Sequence, residues 1–141
     1  MHYAHILLAI TGGDDEKAVV DEAMTLQSFF DSTLSIVTVN DPAAGKAHMM
    51  MGGLPRIEEA DIREQLEKFG YGERADTLDY ILVESESDAQ AIARLTEGFD
   101  LLVMGHHPKG RLLAHLTDST DENVADRIDC PILLVPIKPS D

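Results

Sequence analysis

The stretch Asp100-Leu-Leu-Val-Met-Gly105-His-His-Pro108-Lys-Gly110, continued by Asp118-Ser119-Thr120 and then Cys130-Pro131-Ile-Leu-Leu-Val-Pro136, decides how this chain folds. An apolar run stops at a glycine, and a loop bearing glycine and proline follows. A polar helix start and a second apolar run come next. That order of signals predicts strand, loop, helix and strand, the unit on which many nucleotide sites are built. The question the loop poses is whether its residues retain the chemistry to hold a phosphate.

The same alternation runs upstream. Tyr3 to Ile10 and Leu34 to Val39 are continuous apolar runs, the mark of parallel strands buried on both faces. Leu78 to Val83 predicts a third strand, less buried because Asp79 interrupts it. Leu101 to Met104 and Ile132 to Val135 are the fourth and fifth. Between them, Val19, Val20, Ala23, Met24 and Phe30 space as one helical stripe, and Ile57, Ile62, Leu66 and Phe69 as another. Asp14, Asp15 and Glu16 crowd the first turn of the first helix, where they suit the positive end of its dipole. Ser87 is placed to cap a third helix, and Asp118-Ser119-Thr120 opens a fourth with Val124 and Ile128 inward. Five strands alternating with four helices call for right-handed crossovers and helices on both faces of a mostly parallel sheet. The expectation is a single three-layer α/β domain, Rossmann-like, over residues 1–141. Ala43 to Pro55, with Met49-Met50-Met51, has no period and is expected to be a loop.

Composition limits the partners. Eleven basic against 26 acidic residues give a formal charge of −15, which repels phosphate backbones and anionic lipid. Nucleic acid and membrane are therefore not expected as partners. No apolar run approaches the ~20 residues of a membrane span, and the single cysteine, Cys130, suits a reducing compartment. A cytoplasmic location is the expectation. His48, His106, His107 and His115 have no ligand partners at a familiar spacing, so no metal is expected. No Gly-x-Ser-x-Gly elbow presents Ser119 as a nucleophile, so no catalytic residues are assigned.

The order of His5-Ile-Leu-Leu-Ala-Ile, Leu34 to Val39, Asp100-Leu-Leu-Val-Met-Gly105-His-His and Cys130-Pro-Ile-Leu-Leu-Val-Pro136 resembles the universal stress protein family over nearly the whole chain. The resemblance implies an adenine nucleotide alpha hydrolase-like fold and a nucleotide site of Thr11, Val39, Gly105, Pro108, Gly110, Ser119 and Thr120. In the nucleotide-binding branch of that family the last loop reads Gly, two residues, Gly, nine residues, Gly, then Ser or Thr. Gly105 and Ser119 match, whereas Pro108 and Asp118 stand at the other two glycine places, and Thr11 replaces an aspartate that contacts the nucleoside. Pro108 offers no N–H to an anion. Asp118 adds a like charge, which at about 4 Å costs roughly 1 kcal/mol in water and about 4 kcal/mol at a partly buried surface. These departures disfavour ATP, and no cofactor is assigned, although Lys109 and Arg111 flank Gly110 and could hold an anion if they are not simply solvated. The resemblance also implies a homodimer paired through Ile132, Leu133, Leu134 and Val135 of the last strand. The expected role is a non-enzymatic stress-response protein. An ATP-dependent regulator and a small subunit docking onto a transporter or enzyme are the alternatives.

Overall fold

The computed structural model describes residues 3–43, 56–106 and 124–138. Five strands, β1 (His5–Ala9), β2 (Thr33–Asn40), β3 (Asp79–Glu84), β4 (Leu101–His106) and β5 (Ile132–Pro136), form one sheet in the order β3-β2-β1-β4-β5. Every pairing is parallel, with Ala9 opposite Val37 on one side and Met104 on the other. The chain moves outward from β1 to β3, then returns to lay β4 against the free side of β1. Strand order therefore reverses between β1 and β4, the switch point at which such sheets hold their ligands.

Continuous hydrophobicity resolves into two alternating sets. Ile6, Leu8, Leu34, Ile36, Leu101 and Val103 face α1 (Lys17–Phe30) and α2 (Glu59–Lys68), which contribute Val19, Val20, Ala23, Met24, Ile62 and Leu66. Leu7, Ala9, Val37, Leu102 and Met104 face the other way, against Ala89 and Ile92 of α3 (Asp88–Leu95) and against Val124. Each fully buried aliphatic side chain contributes about 1.5–3 kcal/mol over an exposed one, so both faces must be covered for the strands to stay in place. β3 is only half-buried, as an edge strand with one neighbour. The expected cap of α3 is present: the Ser87 hydroxyl oxygen accepts from the Gln90 amide at 3.1 Å. The first helix opens at Asp14 as expected, with Asp14–Glu16 as a 3-10 turn that leads into α1. Strand ends extend one to two residues past Met104 and Val135, because the ladder runs on through His106 opposite Pro136. The expected start of a fourth helix at Asp118 and the loop from 44 to 55 lie outside the described residues.

A polar clasp ties α2 and the turn after it to α1. The Tyr71 hydroxyl donates to Asp21 at 2.5 Å, and the Arg74 guanidinium reaches Gln27 and the Met24 carbonyl. Burial, then the bond to Asp21, push the Tyr71 phenol up to about 12. No helix among the described residues is long and apolar enough to cross a membrane.

Gly105 shows how tightly β4 is packed at the switch point. A Cβ built there would lie 2.4 Å from Ile137 Cδ1 and 3.1 Å from Val19 Cγ2, and both neighbours are buried. Overpacking of this kind costs roughly 1–3 kcal/mol. Gly105→Ala should accordingly lower the thermal midpoint by several degrees, as read by circular dichroism; an unchanged midpoint would mean that Ile137 swings aside freely.

Candidate functional site

Three of the residues implied in a nucleotide site come together at the carboxyl ends of neighbouring strands. Thr11 lies two residues past β1, Val39 and Gly105 are the penultimate residues of β2 and β4, and β1 lies between the other two strands. Pro108, Gly110, Ser119 and Thr120 lie outside the described residues. Val39 is half-buried against the face that carries α3. Gly105 is required by the approach of Ile137 and Val19, a packing reason that stands without any ligand.

The chemistry at the end of β1 centres on Glu16. Gly12 takes a left-handed φ of 95°, and the chain then turns into the helix. In that course the amides of Thr11, Gly12 and Gly13 converge on one point, and the Glu16 carboxylate folds back to occupy it. Oε2 accepts from the Thr11 amide at 2.9 Å and from the Thr11 hydroxyl at 3.2 Å. Oε1 accepts from the Gly12 amide at 2.9 Å and the Gly13 amide at 3.0 Å. Glu16 is 5% exposed. Burial pushes its carboxyl above the ordinary glutamate value, against the downward pull of the three amides and the hydroxyl.

Sequence reasoning placed Glu16 among carboxylates that merely suit a helix dipole. The missed signal is its spacing, three residues after Gly13, at which a glutamate side chain reaches back to the first amides of its helix. Thr11 is also used differently from the expectation. Its amide and hydroxyl both serve Glu16 and do not stand free for a ligand.

Neighbouring elements hold this turn in shape. Gln65 of α2 donates to the Gly13 carbonyl at 3.1 Å and to Asp14 Oδ1 at 2.9 Å. Asn40, 4% exposed at the end of β2, grips the backbone of Ile57 through both amide atoms, at 2.9 and 3.0 Å. The Ile57 side chain lies beside Gly12, its Cδ1 3.7 Å from where a Cβ would stand. No group of three or more His, Cys, Asp or Glu suited to a metal ion occurs among the described residues.

The four residues proposed for a dimer interface divide between edge and core. Among the described residues β5 has only β4 as a neighbour. Leu134 is 41% exposed, Ile132 and Leu133 are half-buried, and Val135 points into the core.

The family model described as "Universal stress protein family" matches residues 2–136. This chain belongs to that family. Solved structures agree at the level of fold. A universal stress protein UspA from Lactobacillus plantarum superposes with a TM-score of 0.68 at 17% identity, covering 96% of this chain and 99% of that one. A universal stress protein in complex with cAMP gives 0.65 at 21% identity, covering 98% and 100%. The universal stress protein from Archaeoglobus fulgidus in complex with dAMP gives 0.57 at 15% identity, covering 96% and 99%. No curated protein matches by sequence.

The universal stress scaffold thus carries, in this chain, a buried acid at the mouth of its switch point. An acid whose folded pKa is raised binds its proton more tightly in the native state. Its favourable contribution is full below the ordinary glutamate pKa and is lost as pH rises through the folded value. The urea midpoint of the native sequence, measured relative to Glu16→Gln, should therefore fall as pH rises above about 4.3 and level off beyond the folded value. A difference that instead grew with pH would show that the amide bonds outweigh burial.

Proposed function

We propose that this universal stress protein is a non-enzymatic, cytoplasmic stress-response protein that acts as a homodimer and binds ATP weakly or not at all. The observation that supports the reading is the occupancy of the β1 turn. Its three convergent amides, the donors an anionic ligand at the switch point would use, already serve Glu16. A phosphate brought to the same amides meets a resident negative charge, and at about 4 Å the repulsion is roughly 4 kcal/mol at a partly buried surface. In the sequence, Pro108 and Asp118 argue in the same direction, the one lacking an N–H donor and the other adding an acid where the nucleotide-binding branch has glycines.

One observation favours the reading as a nucleotide-dependent regulator. Two proteins of the same fold are complexes with cAMP and dAMP, so the scaffold accommodates adenine nucleotides in relatives. The two readings part on affinity. Calorimetry with Mg-ATP should give little or no heat of binding, and micromolar affinity would overturn the leading reading. Pro108→Gly combined with Asp118→Gly should gain ATP affinity by restoring two glycines that the nucleotide-binding branch carries, with Thr11 kept because its hydroxyl donates to Glu16.

The homodimer rests on β5. Among the described residues β5 lies at the edge of the sheet with Leu134 exposed, an arrangement that pairing with a second copy would cover. Leu134→Lys should move the protein toward monomer in sedimentation velocity. A dimer of unchanged strength would place the contact elsewhere.

A further inference from the structure

The end of β1 holds a buried carboxylate that no cation among the described residues pairs. Glu16 enters none of the ion pairs formed among the described residues, and its partners are three amides and one hydroxyl. Successive amides aimed at one point form a concavity for an anion, and here the chain supplies that anion from within. The turn is also braced from outside. Gln65 holds the Gly13 carbonyl and Asp14, and Asn40 fixes Ile57 against Gly12, so neither contact passes through Glu16. A concavity braced by α2 and β2 keeps its shape when its occupant is removed.

We propose that Glu16 is an autoinhibitory contact: its carboxylate takes the place of an outside oxyanion on the amides of Thr11, Gly12 and Gly13, and so closes the β1 turn to carboxylate and phosphate ligands. The proposal deepens, and rests on, the reading that the native chain binds ATP weakly or not at all. Three properties are joined in one side chain: deep burial, full use of both oxygens and, among the described residues, no ion pair. Removal of the side chain vacates a space already lined by donors, and a small oxyanion of matching shape fills it.

The test uses the full chain as the native sequence, as Glu16→Ala and as Glu16→Gln, each titrated with sodium formate, with sodium phosphate and with sodium chloride at equal ionic strength. Formate should raise the thermal midpoint of Glu16→Ala saturably, with about tenfold or greater preference over the native sequence. Glu16→Gln should respond little, because its amide still fills the space. A phosphate response in Glu16→Ala would place phosphate in the vacated turn as well; a response to formate alone would limit the site to carboxylates. Equal shifts in all three proteins would mean an adventitious ion only, and would overturn the proposal, as would no shift in Glu16→Ala. Should Glu16→Ala fail to fold in chloride, refolding from urea decides: recovery of native circular dichroism in formate supports the proposal, and equal failure in both salts overturns it. The two readings fail separately. Tight Mg-ATP binding by the native sequence removes the weak-binding reading, whereas absent formate rescue removes the autoinhibitory contact alone.

Discussion

Strand β1 carries the constraint on which the rest of the structure depends. It is hydrogen-bonded on both edges, to β2 and β4, and covered on both faces, so Ile6, Leu7 and Leu8 are fully buried. A strand in that position has no solvent in which to leave a polar group unmet. Where it ends, the amides of Thr11, Gly12 and Gly13, on exposed and half-buried residues, pass out of the ladder and need partners of their own. Glu16 meets all three. The interaction that completes the central strand is therefore the same one that occupies the mouth of the site.

The glycines near the switch point carry different meanings. Gly12 is needed for its backbone, since a φ of 95° is strained for any residue with a Cβ. Gly105 is needed for space, because Ile137 and Val19 fill the place where a Cβ would stand. A glycine in a ligand motif and a glycine in a crowded core look alike in a sequence, and at position 105 packing alone is a sufficient cause.

Fold and function separate here in a physical way. Membership of the universal stress protein family follows from the match over residues 2–136, and the sheet order places the ends of β1, β2 and β4 side by side. What those ends can bind depends on charge and free donors, which the scaffold does not determine. A buried acid on the amides of the β1 turn alters that chemistry without moving any strand.

The sequence by itself determined the layers. Runs buried on two faces, helical stripes and the Ser87 cap are local patterns, so all five strands and the first three helices were legible, with ends misplaced by one or two residues where ladders continued through Gly105, His106 and Pro136. The half-burial of β3 was visible in Asp79, although its place at an edge was not. Only the tertiary structure decided how the candidate site is filled. Asn40 reaches Ile57 across 17 positions and Gln65 reaches Gly13 across 52, separations over which no periodicity acts. Even Glu16, three residues from Gly13, takes its role from the left-handed turn at Gly12 that aims three amides at one point. Hydrophobic order is written in spacing along the chain, whereas a hydrogen bond exists only once the backbone has brought donor and acceptor within about 3 Å in the right direction.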